Sequence, residues 1–221
     1  MNDVVVITGA NRGIGFELAR QWRQQGKTVL AACRQRSDTL DKLDVEVVDG
    51  VDVTRDDAPD RLRSALAGRP VSMLFNNAGL LCNEDLDNMN VPQIQRQLEI
   101  NALGPLRITH GLLDHLGDGS KVGLMTSRMG SMADNSSGGR YGYRMSKAAL
   151  NAAGKSLAID LAPRGIAVAI LHPGWVKTEM TGHTGHLSAA EAALALVQRM
   201  AGLTLDNSGT FWHADGSELP W

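Results

Sequence analysis

Short apolar runs alternate with longer amphipathic stretches along the whole chain. Residues 4–7 form a continuous β-branched run ending in T-G-A-N-R-G-I-G, after which F-E-L-A-R-Q-W-R-Q-Q has helical periodicity up to Gly26. The same strand, turn, helix rhythm repeats. Residues 27–32 predict a second strand, 45–53 a third ending in D-V-T, and 55–67 a helix capped by Thr54 with Asp57. Residues 71–75 predict a fourth strand running into N-N-A-G, followed by a helix with Asn90 as N-cap and Pro92 in its first turn. Residues 121–125, 165–171 and 210–213 predict three more strands, separated by a helix that Pro163 closes and by another opened by the Ser188–Glu191 capping box and running to about Met200. Such alternation predicts a single α/β domain over residues 1–221, a doubly wound parallel sheet of Rossmann type with helices on both faces.

Composition adds limits. At 221 residues and 43% hydrophobic, the chain suffices for one well-buried domain, and two would be cramped. A net charge of −2 gives no broad electrostatic reason to expect nucleic acid or an anionic membrane, and no apolar run reaches spanning length. Residues 1–3 lead directly into the first strand, leaving no room for a signal peptide. Cys33 and Cys82 stand alone, without C-x-x-C spacing, as expected of reduced thiols in the cytoplasm. His183 and His186 lack a nearby carboxylate or thiolate, so no metal is expected.

The candidate chemistry centres on Y-G-Y-R-M-S-K. On a helix, Tyr143 and Lys147 lie one turn apart on the same face, where an ammonium would lower the phenol's pKa and make it a general acid/base. Tyr141 has only Met145 at that spacing. Gly9, Gly13 and Gly15 follow the first strand with G-x-x-x-G-x-G spacing, so a pyrophosphate could approach the backbone at a helix N-terminus; an ordinary tight turn fits the trio too. Where a preference for NAD would place an acidic residue, the second strand ends in Cys33-Arg34. Arg34 and Arg12 are placed to reach a 2′-phosphate, favouring NADP(H), with NAD(H) still accommodated. Asp52, with Asp49 as rival, is placed to accept from an adenine amino group, and small residues at Asn77, Ala78 and Gly79 would let adenosine pass close to the backbone. Pro105 denies the Asn101 carbonyl its helical partner, a kink that either frees an acceptor for a water or serves packing. The Ala/Gly-rich tyrosine helix suits either a homodimer or contacts within one chain.

T-G-A-N-R-G-I-G, D-V, N-N-A-G, Asn101, Ser127, Y-R-M-S-K and H-P-G-W-V-K-T together resemble the short-chain dehydrogenase/reductase family in order and spacing, over nearly the whole chain. G-G-R-Y-G-Y-R-M-S-K-A-A-L-N and the ending G-T-F-W-H-A-D-G-S-E-L-P-W look most like the Sniffer-type carbonyl reductases and C-factor-like proteins. The resemblance implies an oxidoreductase moving hydride between nicotinamide and a small carbonyl or alcohol. Tyr143 would handle the proton, Lys147 would bind ribose hydroxyls, Ser127 would bond the carbonyl oxygen, and Asn101 would hold a water linking Lys147 to solvent. It further implies cofactor contacts at Asn11, Ile14, Val53, Pro173, Gly174, Trp175, Val176 and Thr178, the last four residues around the carboxamide. Two departures stand out. Ser127 and Tyr143 are 16 positions apart, so the connecting loop must bulge, and the segment between Thr178 and Ser188 is short, leaving an open site. Met129, Met132, Trp175 and Met180 could line an apolar pocket or belong to the core. The alternative is a nucleotide-sensing or signalling relative with little turnover; nucleotide-sugar epimerases would need a larger C-terminal region.

Overall fold

The computed structural model describes residues 4–221, so the reading of residues 1–3 lies outside the described residues. In chain order the elements are β1 (Val4–Thr8), α1 (Gly13–Gln24), β2 (Thr28–Ala32), the single turn α2 (Asp38–Asp41), β3 (Glu46–Val48), α3 (Ala58–Leu66), β4 (Val71–Asn76), α4 (Val91–Leu98), α5 (Gly104–Gly111), β5 (Leu116–Met125), α6 (Tyr141–Leu161), β6 (Ala167–His172), β7 (Val176–Lys177), β8 (Leu187–Ser188), α7 (Ala189–Ala201) and β9 (Phe211–His213). Seven strands pair in the order β3-β2-β1-β4-β5-β6-β9, every neighbouring pair parallel. β7 and β8 form a separate small parallel pair.

Alternation along the strands builds two cores. Val4 and Val6 face the layer containing Leu62 and Leu66 of α3, Ile108 of α5 and Leu150 and Leu161 of α6. Val5 and Ile7 face the layer of Leu18 and Trp22 from α1 with Leu196, Val197 and Met200 from α7. Both faces of the parallel sheet are therefore covered, and its strands carry apolar residues on each side. The strand order reverses between β1 and β4, which opens a crevice at the carboxyl edge.

Three local expectations are corrected. β3 ends at Val48 rather than 53, because Gly50 turns the backbone at φ +69°; Val51 N–H still donates to the Cys33 carbonyl, but Asp52 lies in the connection beyond the strand. α3 starts at Ala58, and its N-cap Asp57 makes no capping hydrogen bond because its carboxylate accepts from Arg55 instead, while Thr54 gives both its N–H and its hydroxyl to Asp52. The helix from Asn90 is not a single kinked rod. Its middle is a π-helical turn, Glu99–Leu103, in which the Gly104 N–H donates five residues back to Glu99; Pro105, just inside α5, could not have supplied the regular bond. Asn90 does cap α4, accepting from the Gln93 N–H, and Ser188 with Glu191 closes the box at α7.

Candidate active site

The first strand ends in a hydroxyl that sequence reasoning passed over. Thr8 Oγ1 accepts from the N–H groups of Asn77 and Ala78, at 3.1 Å each, while Asn77 Nδ2 donates to the carbonyls of Thr8 and Gly9 at 3.0 Å. The two glycine-bearing turns are thus fastened together at the switch point. A Cβ on Gly9 would lie 2.9 Å from Ala78 Cα, and one on Gly15 would lie 2.3 Å from the Gly9 carbonyl oxygen. Gly9 also has φ +67°. These glycines are required for turn-to-turn contact before any ligand is considered.

The N-terminus of α1 fits a pyrophosphate. Arg12, its N-cap, makes no side-chain cap, and no acidic residue lies in the first turn, so the N–H groups and the positive end of the helix dipole face the crevice without a competing side chain. Ile14 is half-buried in that turn. Asn11 turns its carbonyl to the hydroxyl of Ser37, which holds the loop after β2 against the glycine turn.

The two arginines expected to share a phosphate occupy different places. Arg34 lines a hollow of about 430 Å³ with Asp52, Thr54, Gln95, Arg96, Glu99 and Ile100. Arg12 instead pairs with Glu179 at 3.2 Å, across the crevice from the glycine turn. Burial pushes the Asp52 carboxyl up, but the two Thr54 hydrogen bonds with Arg34 and Arg96 outweigh it and leave its pKa lowered. Arg96 was not legible as a site residue, because on α4 it reads as one more polar side chain of a solvated face. The neighbouring Val53 packs against Gly104, and its carbonyl accepts from Arg107 at 2.8 Å.

The proposed catalytic side chains converge. Ser127 stands two residues past the end of β5 and caps the turn Arg128–Gly130 by accepting from Met129 N–H at 3.2 Å. Its hydroxyl lies near enough to Tyr143, in the first turn of α6, to favour the ionised phenol. The connecting loop bulges as required, with residues 132–138 exposed. Ser131, the rival hydroxyl, is occupied elsewhere, donating to the Trp221 carbonyl. One helical turn beyond Tyr143, Lys147 is buried with Nζ 5.6 Å from the phenol ring centroid and donating to the Met125 carbonyl at 2.7 Å. Asn101, fully buried in the π-helical turn, exchanges two 2.8 Å hydrogen bonds with the Leu80 backbone and donates to Ser146. A Cβ on Gly79 would fall 3.3 Å from Asn101 Oδ1 and 3.8 Å from Lys147 Nζ, so these three positions adjoin.

Electrostatics here differ from the simple picture of a lysine acidifying a phenol. Burial pushes Tyr143 up to about 12, against hydrogen bonding from Ser127 and the positive charge of Arg140. Burial also pulls Lys147 down to about 7. With its own pKa pulled towards neutrality, Lys147 carries its positive charge only part of the time at pH 7, and this weakens its pull on the phenol.

After β6, Pro173 and Gly174 (φ +87°) turn the chain towards β7, and the Trp175 carbonyl accepts from the N–H groups of His186 and Leu187. Val176 is buried, and the Thr178 side chain lies 3.5 Å from the Cβ position of Gly13, closing this turn onto the first one. The His186 ring stands edge-on to Trp175 at 5.3 Å. Met132, Trp175 and Met180 are exposed, so they form no part of the core. Among the described residues no helix is long and apolar enough to cross a membrane.

Residues 3–187 match the family model described as short chain dehydrogenase. The 1-hydroxy-2-glutathionyl-2-methyl-3-butene dehydrogenase of Rhodococcus sp. (strain AD45) is 38% identical over 223 residues, 98% of this chain and 99% of the relative. Among solved structures, the carbonyl reductase Sniffer of D. melanogaster superposes with TM-score 0.90 at 30% identity, covering 100% of each chain. The NADPH-bound carbonyl reductase from chicken fatty liver gives 0.89 at 25% identity, covering 100% of this chain and 99% of that one. A parallel sheet with its crevice at β1 and β4, a glycine cradle suited to a nicotinamide dinucleotide and these likenesses agree: the chain belongs to the short-chain dehydrogenase/reductase family of oxidoreductases.

Proposed function

We propose that the protein is an NADP(H)-dependent carbonyl reductase or alcohol dehydrogenase in which Tyr143 is the general acid/base. The observation that carries this reading is the convergence at the crevice of Ser127, Tyr143, Lys147 and Asn101, with Lys147 Nζ 5.6 Å from the phenol ring centroid and both Lys147 and Asn101 adjoining Gly79. When bound, the nicotinamide supplies or accepts the hydride. In the reducing direction Tyr143, protonated at neutral pH by its raised pKa, donates its proton to the carbonyl oxygen as the carbon becomes tetrahedral. Ser127 donates a hydrogen bond to that same oxygen, where negative charge develops. Lys147 holds a proton near neutrality and returns one to Tyr143, with a water at Asn101 completing the path to solvent.

Arg34, together with Arg12 once released from Glu179, holds the 2′-phosphate; Asp52 accepts from the adenine, and residues 173–176 with Thr178 hold the carboxamide. The exposed apolar side chains of Met132, Trp175 and Met180 and the short segment before Ser188 support an open mouth for a small or extended carbonyl compound. The Rhodococcus relative is named as the dehydrogenase of an alcohol, which supports the same substrate class.

The test is NADPH oxidation across a panel of aldehydes, ketones and quinones, repeated with Tyr143→Phe. Loss of about 10²–10⁴-fold in kcat, with NADPH binding retained, is expected. Unchanged turnover in the variant removes the mechanism, and tight NADPH binding without turnover of any carbonyl by the wild-type protein would favour the sensing alternative.

A further inference from the structure

The loop between Ser127 and Tyr143 carries two arginines, with a third just beyond it in the first turn of α6, and two of the three are already engaged. Arg128 pairs with Asp134 at 3.0 Å. Arg144 donates to the carbonyls of Gly138, Gly139 and Met129 and to the Ser137 hydroxyl. Arg140 differs. Its Nε donates to Asn83 Oδ1 at 3.1 Å and its Nη1 meets the Met129 thioether at 3.8 Å, and it pairs with no carboxylate among the described residues. Of the five N–H donors of a guanidinium, those on Nη2 find no acceptor there.

Its backbone is also unusual. Gly138, Gly139 and Arg140 follow one another at φ +63°, +61° and +51°, and the last is a long side chain where only glycine is free of strain. The Arg140 N–H donates to the carbonyl of buried Glu84 at 2.6 Å, which pins this conformation. As a result the exposed guanidinium bridges Asn83, in the loop after β4, and Met129, two residues past Ser127. Arg140 thus joins the loop after β4 to the turn that follows Ser127 and, three residues before Tyr143, stands close enough for its charge to act on the phenol.

Building on the carbonyl reductase reading of the site, we propose that Arg140 is a specificity-determining residue that anchors a carboxylate carried by the carbonyl or alcohol substrate. A planar fork with spare donors, held between Asn83 and Met129 and paired with no carboxylate among the described residues, matches a carboxylate in two-point contact.

The experiment compares benzaldehyde with 4-carboxybenzaldehyde in NADPH oxidation. The wild-type protein is expected to favour the carboxylated aldehyde in kcat/KM. In Arg140→Met that preference, taken as the ratio of the two kcat/KM values so that general effects cancel, falls about tenfold or more, and Arg140→Lys restores part of it. The wild-type preference also shrinks as salt is raised from about 0.02 to about 0.3 M. Arg140→Gly, relieved of the backbone strain, loses the preference while keeping its melting temperature, which separates recognition from folding. An unchanged ratio in Arg140→Met with both aldehydes turned over overturns the anchor alone. If the wild-type protein turns over neither these aldehydes nor the wider panel, the reading of the catalytic site falls and the anchor with it.

Discussion

At the scale of single residues, burial sets the chemistry of the tyrosine and the lysine, and each leaves a trace in stability. An ordinary lysine keeps its proton to about 10.4, whereas folded Lys147 releases its proton near 7. Between those values the unfolded chain binds more protons, so stability rises as pH climbs from about 7 towards 10.5. Tyr143 acts in the opposite sense. Its folded pKa of about 12 lies above the usual 10, so the folded form holds the extra proton and stability falls between about pH 10 and 12. Replacing Lys147 with Met removes a desolvated charge and leaves the Met125 carbonyl without its donor, a net gain of roughly 2–4 kcal/mol at pH 7. Denaturant unfolding at pH 7 and pH 10 checks this: the variant is more stable than the wild-type protein at pH 7, and its advantage shrinks towards pH 10. A difference that does not change with pH would mean that the lysine is not desolvated. A second residue-scale outcome concerns Gly15. Ala there places a methyl 2.3 Å from the Gly9 oxygen and 2.4 Å from Asn77 Nδ2, so the turns must part; calorimetric titration of Gly15→Ala with NADPH is expected to show binding weakened by about tenfold or more.

At the scale of elements, period and punctuation made most of the fold legible. Continuous apolar runs marked β1, β4 and β6, glycine or proline closed the helices, and Asn90 and Ser188 announced their caps correctly. What escaped was decided by contacts between distant residues. Gly50 is the exception, a local signal two residues past Val48, whereas the π-helical turn depends on Asn101 reaching Leu80 as much as on Pro105. In the site, the tyrosine, lysine and serine were readable because spacing on one helix and one strand end fixes them. The companions Thr8, Ser37, Arg96 and Arg140 act through neighbours remote in sequence. The question left open by the Ala/Gly-rich α6 has a partial answer, since two of its glycines serve packing within the chain. A Cβ on Gly154 would lie 2.8 Å from both Ile170 and Leu124 side-chain atoms, and one on Gly142 would lie 2.4 Å from Gln97 Nε2 and 2.9 Å from Ile94 Cα. Gln97 cannot retreat, because it donates to buried Glu84 at 2.5 Å and accepts from Cys82 N–H. Gly142→Ala therefore pushes the first turn of α6 away from α4 and Tyr143 with it. Turnover is expected to drop at least tenfold while NADPH still binds, in contrast to Gly15→Ala. Equal losses of both would show that α6 yields as a whole rather than at its first turn.

At the scale of the whole molecule, the loop between Ser127 and Tyr143 is tied to residues near the far end of the sequence. β9 pairs with β6 at the edge of the sheet, and Trp221 packs its ring on Phe211 of that strand, with centroids 5.5 Å apart. The Trp221 carbonyl accepts from both the Ala133 N–H, at 2.9 Å, and the Ser131 hydroxyl, at 3.1 Å. The indole, together with Gly130, Met132 and the exposed side of α6, lines a hollow of about 310 Å³. The loop between Ser127 and Tyr143 thus hangs between the start of α6, where Arg144 gathers its carbonyls, and the C-terminal residue. Trp221→Ala keeps the main-chain acceptor but removes the ring that fixes its position. A half-exposed aromatic contact of this kind contributes about 1–2 kcal/mol, too little to unfold a domain with two complete cores. The cost falls on the loop. Limited proteolysis within residues 132–138 is expected to speed up several-fold, and kcat for a carbonyl substrate to fall while the affinity for NADPH, which on the proposed reading rests mainly on the glycine turn and Arg34, changes little. If cleavage and kcat are both unaffected, Ser127 and Tyr143 are held together by Arg144 and the Glu84–Arg140 contact without help from the C-terminal ring.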